Sequence, residues 1–493
     1  MSTSATGTEN TTGTASAVRT PCPPGTTQLF FACTQYAAAT VTAAIRAGQF
    51  GPRAEHRRIL VISDTSSSPE LGSALDSLPG FACLRPDFDE IRSWNDFVRP
   101  FHPAGWSPRE QDAALWQRAV RQAWGLGDTP VEIACESIQA NPSQAVATIF
   151  GDSPVHVYAD GLMSYGPTRS KLDPLIGGRV ERLLHLDLVP GLKPLLLTEF
   201  GVEAEIIPDG TFLKVLAEMA DAEPADAVGA AFDEPPALIL GQYLSALEIL
   251  TPQEEEDLHL RMVRGAIARG HREVVFKPHP SAPAGWSRRL EEEAASLGAR
   301  LTVRSGPVLA EVLYQRLRPA LVIACFSTAL FTARAFYGLP VARTGTELLL
   351  ERLAPYQNSN RVPVTIVDAL IPPLVAGPES APADALTDAP GEAEAAAQAE
   401  AAASYTPYEP LSELVKAVGF AMQPQIYRTL RPAAEAFLTD HLTPRTAVYF
   451  KRRRLAVLAL PGGVPAQLAF IPRNATVRRV ARHARSFKKA ALG

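Results

Sequence analysis

The chain has 493 residues, more than one hydrophobic core ordinarily supports, so a single domain is set aside in favour of two domains with appendages. Its 46% hydrophobic and 20% charged residues are those of a globular protein, and no run of about eighteen apolar residues is present to span a bilayer. The net charge of −5 is unevenly placed: residues 441–493 hold twelve Lys or Arg and no acid, which leaves 35 bases against 52 acids ahead of them. A basic tail follows an acidic body.

Five cysteines, Cys22, Cys33, Cys83, Cys135 and Cys325, form no CxxC pair and fit reduced thiols packed as small core residues. The first residues lack the basic patch and apolar stretch of a signal peptide. A cytoplasmic protein is the expectation.

Residues 1–27 contain twelve Ser or Thr and almost no large apolar side chain, so they read as a disordered leader. An α/β rhythm starts at Gln28 and fills a first domain to residue 225. Strands are predicted at 29–33, 59–63, 131–135, 155–158 and 205–208, with helices such as 36–47 and 110–124 between them. The stretch 221–235, rich in Ala, Asp, Glu and Pro, marks a boundary. A second domain, 236–373, repeats the rhythm with strands at 237–240, 273–277, 300–303 and 321–324 and helices at 252–269, 287–297 and 328–337. Two doubly wound parallel sheets follow from this order. Residues 376–404 hold thirteen alanines, six acids and no base, and read as a flexible acidic insertion. Helices at 411–421 and 426–442 open a C-terminal extension, 405–493, that ends in the basic tail.

Doubly wound sheets bind ligands beyond the carboxyl ends of their strands, so the residues just after each strand are the chemical candidates. Three places stand out: Asp160-Gly161 after 155–158, Lys277-Pro278-His279-Pro280 closing 273–277, and Ser327-Thr328 after 321–324 at the start of a helix. Asp before Gly is also an everyday turn. His279 is held between two prolines that restrict the backbone and fix where the imidazole points. Ser327 and Thr328 read either as a helix cap or as an anion site at a positive helix end.

Their order, a carboxylate in the first domain and then His-Pro and Ser-Thr in the second, resembles the bacterial sialyltransferases, most closely the bacterial polysialyltransferase family. That family carries an acidic-acidic-Gly, a His-Pro and a Ser-Ser/Thr motif, matched here by Ala159-Asp160-Gly161, His279-Pro280 and Ser327-Thr328. The stretches 157–166 and 276–281 look similar too, and the resemblance spans roughly 28–343. It implies a GT-B fold of two facing Rossmann-like domains, a CMP-sialic acid or related CMP-nonulosonate donor, a glycan acceptor, inversion, and no metal or other cofactor. In that reading Asp160 is the general base, His279 the donor to phosphate, and Ser327 and Thr328 the phosphate cradle. Alanine at 159 departs from the motif, which keeps a catalytically inactive glycan-binding relative in view. Another CMP-sugar, such as CMP-Kdo, is the alternative among enzymes.

Position alone adds further candidates. Glu136 follows the strand at 131–135 and reads either as a cleft carboxylate or as a helix-start acid. Gly241 and Gln242, after the strand at 237–240, suit close approach and hydrogen bonding of a nucleotide. Glu311, near a helix start, reads as a ribose ligand or a solvated acid. Thr34 and Gln35 end the first strand on the acceptor side. The DxD-like Asp87-Phe88-Asp89 is expected in a surface loop, and there is no GxGxxG, GxxxxGK[ST] or HExxH. The basic tail suits an anionic membrane surface better than specific nucleic acid.

Overall fold

The computed structural model describes residues 25–224, 232–279, 282, 285–374 and 406–463. In β1 (Thr27–Ala32), Leu29 and Phe31 face one way and Phe30 and Ala32 the other, the two-residue period of an extended chain. Both faces are buried, as in a central strand covered on each side. β2 (Arg57–Ile62) and β4 (Val131–Cys135) flank it in parallel. With β3 (Glu90–Ser93), β5 (Val155–Ala159), β6 (Val180–His185) and β7 (Glu203–Ile206) they form a seven-stranded parallel sheet, β3-β2-β1-β4-β5-β6-β7. A second parallel sheet joins β8 (Ala237–Leu240), β9 (Glu273–Lys277), β10 (Arg300–Val303), β11 (Leu321–Ala324) and β12 (Val341–Arg343) in the order β10-β9-β8-β11-β12. This is the expected GT-B architecture.

Both sheets reverse direction beside their first strand, between β1 and β4 and between β8 and β11. Chains leaving those strands diverge to opposite faces and open a crevice. The two crevices face each other across a shared apolar interior that contains Phe212 from one domain and Leu313 from the other. Helix Gln35–Arg46 lies on this side; its five alanines allow close approach to the sheet, and Thr34 Oγ1 caps it by accepting from the Ala37 amide at 3.0 Å. Arg316 reaches from the second domain to the Ala220 carbonyl, 2.5 Å away, at the end of helix Asp209–Ala222.

Three strands escape the sequence reading. β6 is disguised by Glu181 and Arg182, yet Arg182 is buried because Glu205, His156 and the Gln49 carbonyl receive its guanidinium. β3 and β12 are four and three residues long, too short to show a period. The helix predicted at 426–442 is broken into a 3-10 turn, Arg428–Leu430, and a helix, Arg431–Asp440, with Pro432 in its first turn. The chain is tied in ahead of Gln28, where the Gly25 amide donates to the Glu55 carbonyl and that of Thr27 to Pro130. Residues 1–24, the insertion at 376–404 and the tail from 464 lie outside the described residues.

After the second domain, helices Leu411–Met422 and Arg431–Asp440 return toward the first. Tyr427 Oη accepts the Thr168 amide (2.9 Å) and sits 2.8 Å from Glu199 Oε2. Gly419 permits the contact: a Cβ there would approach Leu195 Cδ1 to 2.8 Å. Part of the basic segment serves the fold. Lys451 donates to the carbonyls of Leu350 and Glu351 and Arg454 to that of Ala421, capping two helix ends. No helix among the described residues is long and apolar enough to cross a membrane.

Candidate active site

β4 and β5 run side by side with Cys135 opposite Val157, so Glu136 and Asp160 both emerge at the crevice. Alternation directs them to the face of Ala134 and Tyr158, toward the second domain, whereas Ala159 packs on the other face against the apolar cluster that contains Cys135 and Val157. Glu136 Oε2 accepts the Cys33 amide at 3.3 Å. Burial pushes Asp160 up to about 6, and burial together with the charge of Asp160 pushes Glu136 up to about 7. The pair resists full ionisation and is suited to holding one proton. The Cys33 thiol beside it is raised by burial and by the nearby Glu136 carboxylate, which makes it a poor nucleophile. An acid at 159 would stand across the sheet from Asp160. Glu136 is the second carboxyl on the side of Asp160.

In the second domain, β9 delivers Lys277 and then His279. Burial lowers the ammonium of Lys277, partly offset by Glu311, and burial followed by the charge of Lys277 lowers His279. Both groups gain from an anion placed beside them. Ser327 Oγ accepts the Ala329 amide (3.2 Å), which leaves its own proton to donate. Pro280 lies outside the described residues.

Thr328 is turned to the other domain: its Oγ1 accepts the Leu162 amide at 3.3 Å, and a Cβ on Gly161 would come within 3.0 Å of the same oxygen. Two of the sequence motifs therefore touch across the crevice, and the glycine of one makes room for the threonine of the other. Gln242 Oε1 accepts the Phe326 amide (2.9 Å), pinning the end of β8 to that of β11. Gly241 is required by its own domain, since a Cβ would meet Phe276 at 2.9 Å and Pro278 at 3.3 Å. Glu311 is buried and accepts from Thr332 Oγ1 at 2.7 Å.

A cavity of about 690 Å³ separates the domains; among its lining residues are Thr34, Gln35, Gly241, Lys277, His279 and Ser327. Asp160, Glu136, Gly161, Gln242, Glu311 and Thr328 border it without lining it, the two acids close enough to the lining Cys33 thiol to raise it. Its walls differ in charge. The second domain contributes Lys277 and His279 and no carboxylate, while the first contributes Asp64, Glu70 and Asp96 against Arg99 and His102. The ring nitrogens of His102 are taken by the Ser66 carbonyl and the Ala104 amide. Gln35 is buried with both amide atoms lacking a partner, its Nε2 beneath Gly80.

The first-domain wall went unread in the sequence. Asp64 follows β2 by the same strand-end rule that flagged the other candidates. Asp96, Arg99 and Phe101 follow β3, which has no visible period. Asp87 and Asp89 of the DxD-like run are held by Arg46 and Arg53, 2.9 and 2.8 Å away, and Phe88 is buried against Phe30.

The family model described as Alpha-2,8-polysialyltransferase (POLYST) matches residues 28–346. No curated protein matches the chain in sequence. Among solved structures it is similar to the GT-B domain of a sialyltransferase from Photobacterium damselae (11% identity, 69% of this chain and 95% of that one, TM-score 0.35). It is also similar to MurG from Acinetobacter baumannii (12%, 80% and 99%, 0.37) and to an O-GlcNAc transferase variant from Thermobaculum terrenum (13%, 85% and 71%, 0.33). Overlaps of this quality bear on neither substrate nor mechanism.

Proposed function

The chain belongs to the alpha-2,8-polysialyltransferase family and is a sialyltransferase-like glycosyltransferase, and from that premise we propose that it moves a sialic or related nonulosonic acid from a CMP-activated donor to a glycan hydroxyl, with inversion and without a metal. The observation that carries this reading is the opposed charge of the two cavity walls. A CMP-sugar is anionic and favours the wall of Lys277 and His279, with the Ser327 hydroxyl and the start of helix Ala329–Tyr337 beside its phosphate.

In the transfer, the acceptor oxygen attacks the anomeric carbon on the face opposite the phosphate. The carbon–oxygen bond to CMP breaks, its electron pair leaves on the phosphate, and the hydroxyl proton passes to Asp160. Charge appearing on phosphate is met by His279, Lys277 and Ser327, so protein donors do what a cation would otherwise do. The raised Asp160–Glu136 pair holds the accepted proton near neutral pH. We further place exposed Arg452 and Arg453, with the basic residues beyond 464, against an anionic membrane surface.

Calorimetric titration of CMP tests the donor assignment. His279→Ala should weaken binding at least about tenfold, about 1.4 kcal/mol and a modest share for a hydrogen bond to charge. Unchanged affinity would remove His279 from the donor site.

A further inference from the structure

β5 ends at Ala159, so Asp160 is the first residue of a stretch outside the sheet. Residues 161–168 turn through the 3-10 helix Leu162–Tyr165, and side chains from beyond the first domain fix both ends of the stretch. Thr328 of the second domain receives the Leu162 amide, and Tyr427 of the C-terminal extension receives that of Thr168. Between them Gly166 lies on helix Arg361–Leu370, where a Cβ would come within 3.5 Å of Val362.

The phenol of Tyr427 is buried and fully engaged. Its Oη lies 3.0 Å from Thr168 Oγ1, which itself accepts the Leu197 amide at 3.1 Å and so keeps its proton for the phenol. The phenol's own proton goes to the Leu195 carbonyl at 2.9 Å or to the Glu199 carboxylate at 2.8 Å. Two acceptances and one donation use every site of the hydroxyl. Burial, followed by the charge of Glu199, raises the phenol and keeps it protonated. Helix Leu411–Met422 seats it, since Gly419 leaves room for Leu195 and Pro167, and Gln423 donates to the Arg169 carbonyl.

We infer that Tyr427 is a positioning residue of the transfer: through Thr168 it holds the stretch 161–168, and with it the Asp160 carboxyl, at the place that Thr328 sets from the other end. The inference rests on the reading of Asp160 as the base. Asp160 is faced by Glu136, Cys33, Tyr36 and Tyr158 from the first domain and by Glu311 from the second. Tyr427 bonds to none of these, so it acts on Asp160 through the backbone between them.

Tyr427→Phe removes one oxygen and keeps the ring. Three readouts are taken on the full chain: amide hydrogen exchange over 161–168, CMP release from CMP-sialic acid with a sialyl-oligosaccharide acceptor, and calorimetric CMP affinity. Exchange over 161–168 should quicken at least about tenfold, and kcat should fall at least about tenfold with the donor KM and CMP affinity unchanged, the pattern of a displaced reacting group. The acid limb of the rate should also move to lower pH, because burial raises Asp160 and a loosened stretch lets water reach it. Leu290→Ala, a cavity in the core of the second domain, should lower the melting temperature and change none of these. Unchanged exchange, unchanged kcat, an acid limb left in place, or the same changes in Leu290→Ala overturns the inference. Full transfer by Asp160→Asn would instead count against the base reading, which keeps the two failures apart.

Discussion

Asp160 carries a cost that its chemistry explains. A carboxyl whose folded value is raised by burial binds its proton more tightly in the folded than in the unfolded chain, so stability falls as pH rises from about 4 to about 6 and stays reduced above that. Asp160→Asn should therefore melt higher than wild type at pH 8, by an amount on the order of 2 kcal/mol, with the gain shrinking as pH falls toward 4. The same variant should lose transfer about a hundredfold or more, because an amide accepts no proton. Loss of activity with a higher melting temperature separates a removed base from a damaged fold. In Glu136→Gln the acid limb of the transfer rate should stay in place, because Glu136, the higher of the pair, is still protonated while Asp160 titrates and burial alone raises Asp160. A limb moved to lower pH would show that Glu136 carries charge beside Asp160 in that range. Ala159 gives a third measurement. Its side chain packs against the apolar cluster on the far face, so Ala159→Glu places a carboxylate against apolar groups and should lower the melting temperature without raising transfer. A gain in transfer would show that the missing motif acid reaches the crevice after all.

Between elements, the contact to test is the one joining the turn after β5 to the helix after β11. Gly161 has a φ of −141°, which any residue adopts, so its need for glycine comes from space and not from backbone strain. Gly161→Ala should reduce kcat/KM about tenfold by forcing Thr328 away. In a Thr328→Ala background the same change should cost much less, giving a coupling of about 1 kcal/mol in a double-mutant cycle. Additive effects would mean that the two motifs act independently.

Across the cavity, charge differs between the two walls, and the proposed transfer relies on the second-domain wall in place of a metal. Turnover with a CMP-sugar should be unchanged by chelator, measured as CMP release. Activity abolished by chelator and restored by magnesium or manganese would overturn the assignment of phosphate charge to His279, Lys277 and Ser327. Two contacts tie the domains together: Tyr427 of the extension on Thr168, and Arg316 of the second domain on Ala220.

Much of the architecture was legible in order and period alone. Apolar runs mark β1, β5, β8, β9 and β11 in the sequence, with Asp160, Gly241 and Pro278 closing three of them, and the rule that ligands gather at strand ends points to Asp160, His279 and Ser327. A strand-end rule works because it is local: it needs only the end of a strand. What the tertiary structure decided was non-local. Glu136 joins Asp160 although 24 residues separate them, because β4 and β5 are neighbours. Thr328 serves Gly161 from the other domain, and Gly241 answers to Phe276 and Pro278. The acidic first-domain wall comes from turns after β2 and β3, and β3, four half-buried residues, leaves no period to read. Sequence specifies which side chains stand at strand ends; only the packing of sheet against sheet determines which of them face one another.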